Sequence, residues 1–267
     1  MPGCLKIKDI HVTFFEGTIN ENHVLKGVNF EAEVGDFITV IGGNGAGKST
    51  LLNTIAGVSL ADEGSIAIDE VDVTRKAEHK RARLIGRVFQ DPRMGTATRM
   101  TIEENLAIAM KRGQKRGLRF GQSAKDREFF KEQIKQLDLG LEDRMTMDIG
   151  LLSGGQRQAI TLLMATIVAP KLLLLDEHTA ALDPKTAEQV LMLTQKLVAE
   201  KKLTTFMVTH NMQDALRYGN RLIMLHNGRI VVDLKGEEKE KATMEDLLQL
   251  FKQNSQSEIG DDALLLG

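Results

Sequence analysis

Phe37-Ile38-Thr39-Val40-Ile41 runs directly into Gly42-Gly43-Asn44-Gly45-Ala46-Gly47-Lys48-Ser49-Thr50, and this stretch decides the fold. The apolar run reads as a buried strand, the glycines as a tight loop, and Lys48 to Ala56 as a helix stopped by Gly57. Gly42-x4-Gly47-Lys48-Ser49 has the full spacing of a phosphate-binding loop, in the strand–loop–helix setting that such a loop requires. Across Gly42, Asn44, Gly45, Ala46 and Gly47 the backbone N–H groups can curl around a β-phosphate. Lys48 adds a point charge for the β- and γ-phosphates, and the Ser49 hydroxyl, followed by Thr50, is placed to ligate Mg²⁺. The start of the helix adds a favourable field for the anion. These residues point to a bound nucleotide.

Farther along, Leu172-Leu173-Leu174-Leu175-Asp176-Glu177 sets two acids at the carboxyl end of a buried strand, where α/β sheets place their ligands. Asp176 is suited to hold Mg²⁺, and Glu177 to take a proton from the water attacking a γ-phosphate. Leu152-Ser153-Gly154-Gly155-Gln156 is a second phosphate grip: Ser153 caps the following helix, and bare glycine amides lie at its positive end. A nucleotide has one γ-phosphate, whereas the chain has two sites for it. Two copies meeting head to tail, each grip serving a different face of a nucleotide, satisfy both.

Composition narrows the class. The 267 residues suffice for one good-sized core or two small ones. A net charge of −2 gives no basic surface for nucleic acid. The lone cysteine, Cys4, fits a reducing compartment and excludes an internal disulfide framework. The opening residues have no apolar signal segment, and no apolar run is long enough to span a membrane, so a membrane link is expected to go through a partner.

The alternation of strands and helices predicts an α/β fold with a mostly parallel sheet. Leu5, Ile7, Ile10 and Val12, then Val24, Leu25, Val28 and Phe30, predict an N-terminal antiparallel β subdomain, and residues 65–73 a small hairpin around Asp69-Glu70. Thr101 and Ser123 are placed to cap helices, the first through about 111 and the second with Phe130, Ile134 and Leu137 on one face. Helices are further expected over 156–169, ended by Pro170, over 186–200, and over 244–251, the last packing on the core or on a second copy. Strands are expected over 204–208 and 221–225. The division that follows is a P-loop core over 1–90 and 151–235, an inserted helical subdomain over 91–150, and a tail with a short helix over 236–267. The basic run Lys111-Arg112-Gly113-Gln114-Lys115-Arg116-Gly117-Leu118-Arg119 reads as a solvated loop, or as a contact for anionic lipid headgroups.

With Gln90 in Val88-Phe89-Gln90-Asp91, Ala181-Leu182-Asp183-Pro184, and His210 in Val208-Thr209-His210-Asn211, the motifs stand in an order and spacing that resemble the ATP-binding cassette (ABC) ATPases from residue 5 to residue 235. The resemblance implies a P-loop NTPase core, ATP and Mg²⁺ as ligands, and hydrolysis. It implies that Gln90 meets Mg²⁺ and the attacking water, and that His210 contacts the γ-phosphate. It also implies that Asp183 addresses the opposite subunit, and that Ser153, Gly154 and Gly155 close on the partner's ATP. An aromatic near the N-terminus stacks on adenine in this family; Phe14 and Phe15 both qualify, Phe14 being favoured by its spacing and the other expected in the core. His178-Thr179-Ala180 departs from the family, which commonly has proline after the glutamate; His178 is expected to be tolerated without touching phosphate.

Among ABC classes, the short gap between the two grips and the absence of CxxC oppose the DNA-repair type, and a single cassette opposes the translation-factor type. An importer ATPase then implies an integral membrane permease docking near residues 91–106, an extracellular substrate-binding protein, and a cytoplasmic position on the inner face of the membrane. Gly95-Thr96-Ala97 with Met100 to Leu106 resembles ATPases of amino-acid-type uptake systems. A soluble scaffold ATPase, as in iron–sulfur cluster assembly, or an exporter ATPase fits the same nucleotide motifs.

Overall fold

The computed structural model describes residues 4–114 and 123–253. The first elements are β1 (Leu5–Phe14), β2 (Asn22–Ala32), β3 (Phe37–Gly42), α1 (Lys48–Ala56), β4 (Glu63–Ile68), β5 (Val71–Asp72) and α2 (Glu78–Arg81). Then come β6 (Ile85–Val88), α3 (Ile102–Met110), α4 (Ala124–Lys135), α5 (Gly154–Thr166), β7 (Leu172–Asp176) and α6 (Pro184–Lys201). The series closes with β8 (Thr204–Val208), α7 (Met212–Arg217), β9 (Arg221–His226), β10 (Arg229–Lys235), α8 (Glu237–Lys241) and a helix over 244–253. Packing divides the described residues into two compact units, one running to Glu78 and resuming at Thr204, the other spanning His79–Leu203.

In the first unit an antiparallel sheet runs in the order β2-β1-β4-β5. The apolar positions of β1 skip a residue after Ile7, and the strand accommodates this with a bulge. Asp9 takes φ 49°, and the pairing with β2 shifts between Ile7 and Ile10. The expected hairpin is β4–β5: Asp69 and Glu70 both have positive φ, 49° and 64°, the conformation of a type I′ turn. A second set of strands runs β10-β9-β3-β8, with β3 parallel to both neighbours. Its continuous apolar sequence is explained by burial on both faces. The antiparallel β9–β10 pair was not foreseen, although Asn227-Gly228 is a strong hairpin signal; their φ values are 45° and 79°. Leu247, Leu250 and Phe251 of the last helix pack on Ile41, Leu222 and Met224, so this helix covers the chain's own core.

In the second unit β6 and β7 pair in parallel, Val88 opposite Leu175. Helices α3, α4 and α5 enclose a cluster that includes Leu106, Phe130, Ile134 and Leu163. Thr101/Glu104, Ser123/Asp126 and Ser153/Gln156 each form a reciprocal capping box. Three helices have boundaries that differ from expectation, and α4 ends at Lys135, short of Leu137. Because Ser153 is the cap, α5 starts at Gly154, and it ends at Thr166, short of Pro170. There the Arg112 guanidinium takes over the carbonyls of Ala165, at 2.8 Å, and of Val168. Helix α6 starts at Pro184, because the Asp183 carboxylate accepts from Thr186 N at 3.1 Å and proline suits the first helical position. Residues 115–119 of the basic run and 254–267 of the tail lie outside the described residues. No helix among the described residues is long and apolar enough to cross a membrane.

The segment entering α3 is fixed by one buried side chain. Asn105 Oδ1 accepts from Ala97 N at 2.8 Å, and its Nδ2 donates to Ala97 O at 3.1 Å and Thr101 O at 2.9 Å. Asn105→Ala strands these backbone groups and is expected to cost about 2 kcal/mol, read as a lower urea midpoint at unchanged slope.

Candidate active site

In the first unit the phosphate loop emerges from β3. Gly47 precedes α1 with φ 99°, and a Cβ there would lie 2.9 Å from Leu25 Cδ2, so glycine is required on both conformational and steric grounds. Ala46 N donates to Gly43 O at 3.2 Å, closing the turn that carries Asn44 and Gly45. Lys48 is buried, and its ammonium donates to Gly42 O at 2.8 Å and Gly43 O at 3.0 Å, so the loop is wrapped around its own lysine. Ser49 is exposed and Thr50 half-buried, both in the first turn of α1. His210 follows β8, whose Val208 lies opposite Val40 of β3, and Thr209 N donates to Val40 O at 3.1 Å. The parallel pairing therefore brings the exposed His210 to the strand edge from which the phosphate loop leaves. Phe14 and Phe15 are 37% and 70% exposed, so neither is a core residue, contrary to expectation. At Phe15, φ is 56° and the chain turns away from the sheet.

The second unit carries the remaining residues. Asp176 ends β7 and Glu177 follows with φ 43°, a left-handed conformation that concentrates backbone strain at the last acid of the strand. Gln90 lies just beyond β6, exposed at the same carboxyl edge. The second grip opens α5: Ser153 Oγ accepts from Gln156 N at 3.3 Å, and Gln156 Oε1 accepts from Ser153 N at 3.2 Å. Ser153 and Gly154 are exposed, whereas Gly155 is buried; a Cβ on Gly155 would approach Thr186 Cγ2 to 2.1 Å. Its lack of a side chain therefore serves the close approach of α6 as well as any ligand. Asp183 is exposed, and its hydrogen bonds from Thr186 hold its carboxyl below the usual range.

Three further residues tie this unit together without having announced themselves in the sequence. Arg157 donates to the carbonyls of Ile149, Gly150 and Leu152, at 3.2, 2.7 and 3.2 Å, fixing the approach to Ser153. Gln158, fully buried, donates to Phe89 O at 3.4 Å, beside Gln90. Arg87 Nη2 lies 3.4 Å from Asp176 Oδ2. A polar residue in the first turns of a capped helix, as Arg157 and Gln158 are, was the available signal; Arg87 gave none beyond a charge inside an apolar strand.

Residues 25–180 match the ABC transporter family. This chain belongs to that family. A tyrosine transport ATP-binding protein of Clostridioides difficile is 44% identical over 93% of this chain and 98% of its own length. A phosphate import ATP-binding protein of Aeropyrum pernix is 33% identical, over 85% and 90%. A dimeric ATP-binding cassette solved in a post-hydrolysis state with ADP and phosphate is 31% identical and covers 86% of this chain and 98% of its own, with a TM-score of 0.72. The ABC subunit described here thus has the cassette fold, binds ATP, and hydrolyses it in the service of transport.

His178, next to Glu177 in this ABC subunit, is buried. Its Nε2 is 3.0 Å from Thr194 Oγ1, and that hydroxyl already donates to Val190 O at 2.8 Å, so Nε2–H is the donor to it. Burial pushes the imidazole pKa from 6.5 down to about 4. The unfolded chain takes up this proton at higher pH, so the residue's contribution is full above 6.5 and is lost as pH falls toward 4. The loss is expected to reach roughly 3 kcal/mol. His178→Gln should flatten the pH dependence of the urea midpoint across that interval.

Proposed function

We propose that this chain is the ATPase of an importer, in which two copies close head to tail around two ATP molecules and drive a separate membrane permease. The observation that carries the proposal is the start of α5, where the exposed Ser153 and Gly154 offer an anion site built independently of the loop around Lys48. In this reading, Gly42 to Thr50 holds the chain's own nucleotide, and Ser153, Gly154, Gly155 and Gln156 meet the partner's. Asp183 lies beside them at the start of α6. Phe14 stacks on adenine, its ring being accessible at the end of β1.

Mg²⁺ suits each of these donors by its chemistry: the Asp176 carboxylate and the exposed Ser49 hydroxyl are the hard oxygens this ion prefers. Asp176, Ser49 and Gln90 are its proposed protein ligands, and when bound it neutralises charge on the transferred phosphoryl group. Glu177 accepts the proton of the attacking water, Gln90 orients that water, and His210 and Lys48 stabilise the γ-phosphate. Functionally the chain then divides into a nucleotide core over 1–90 and 151–235, a docking insert over 91–150 and a tail from 236. The permease docks near residues 91–106, where Met94 is 71% exposed. The relative named for tyrosine transport supports an amino acid as cargo. An extracellular binding protein that delivers the cargo, and a position for this subunit on the inner face of the membrane, complete the proposal.

Glu177→Gln is expected to keep ATP affinity within a fewfold while hydrolysis falls at least about a hundredfold. Light scattering should then record an ATP-dependent dimer, which captures an integral permease from source-cell membranes. Hydrolysis at the parent rate would refute the role of Glu177, and recovery of soluble assembly proteins alone would indicate a scaffold ATPase. Ser153→Arg should leave nucleotide binding by the monomer intact and abolish turnover; loss of binding itself would place Ser153 with the chain's own nucleotide.

A further inference from the structure

The acid at the end of β7 has a cationic companion from the neighbouring strand. Arg87 lies on β6, opposite Leu174 of β7, and its Nη2 stands 3.4 Å from Asp176 Oδ2. Both side chains are largely buried, with 12% and 17% of their surfaces exposed. The Arg87 guanidinium also lies over the Phe89 ring, 4.6 Å from its centroid, which holds the planar group in place. Asp176 is thus balanced by a fixed positive charge within its own unit.

We infer that Arg87 is a counter-cation that sets how strongly the Asp176 site binds a divalent metal. This deepens the reading above and rests on Asp176 being the metal-holding carboxylate. A guanidinium beside that carboxylate acts in two ways, both in the same direction. It occupies an oxygen the metal would take, and its charge repels the dication whether or not it moves aside. In a site screened from water this repulsion is not erased by salt. Arg87 keeps the carboxylate neutralised between nucleotides, at the cost of weaker metal binding. It acts through Asp176 and is a positioning residue, without contact to the reacting atoms.

The test measures Mn²⁺ affinity by electron paramagnetic resonance on the full chain saturated with the β,γ-imido analogue of ATP, without turnover. Arg87→Gln and Arg87→Met, the second preserving an apolar stem over Phe89, are expected to bind Mn²⁺ roughly threefold to tenfold more tightly than the parent. Arg87→Lys, which keeps the charge but loses the planar contact with Phe89, should stay closer to the parent than either neutral variant. Thermal melts identify the folded variants, and either neutral variant suffices. Asp176→Asn separates the two layers of the reading. If it weakens Mn²⁺ binding while a neutral Arg87 variant binds no more tightly than the parent, the role of Arg87 is wrong and that of Asp176 stands. If Asp176→Asn leaves Mn²⁺ affinity at the parent value, the metal assignment fails and the inference about Arg87 fails with it.

Discussion

Confinement of β3 between β8 and β9 is the constraint on which the nucleotide site depends. A loop that grips an anion through backbone N–H groups must be presented by a strand that cannot shift, because its donors are part of the main chain and have no rotamers with which to correct an error. Parallel pairing on both sides supplies that rigidity, and the apolar sequence from Phe37 to Ile41 follows from it. His210 takes its place from the same pairing, since it follows the strand beside β3. The second unit repeats the device on a smaller scale: β6 and β7 deliver Gln90, Asp176 and Glu177 to one edge.

Helix starts in the second unit do a comparable job by local means. Three reciprocal capping boxes and the Asp183 cap settle where α3, α4, α5 and α6 begin, and two of these starts coincide with proposed nucleotide contacts. A residue such as Ser153 is therefore committed twice. Its hydroxyl satisfies an amide of its own helix, and its position offers the helix end to an anion. Gly155 is likewise fixed by the neighbouring α6 as firmly as by a ligand.

Much of this was legible in the sequence because the signals were local. The strand–loop–helix around Lys48, the buried strand ending in Asp176 and the capping residues Thr101, Ser123 and Ser153 all depend on near neighbours. The hairpin at Asn227-Gly228 was equally local and was overlooked, because the strand after it, Arg229–Lys235, is only partly buried and lacks a strong apolar alternation. What the sequence could not disclose depends on partners distant along the chain. Arg87 meets Asp176, Gln158 reaches back to Phe89, and His178 finds Thr194. The exposure of both Phe14 and Phe15 belongs here too, since it is decided by where β1 stops and the chain turns.

The interrupted course of the first unit has a consequence for synthesis. The residues of the second unit are continuous along the chain and can begin to pack while translation is still under way. Strand β3 is made early, yet its neighbours β8 and β9 and the helix that covers Ile41 come from the far end. Early in synthesis β3 has α1 to pack on, but its pairing partners arrive only when most of the chain has been made. The sheet around β3 is therefore completed late in synthesis, after the second unit has had time to pack.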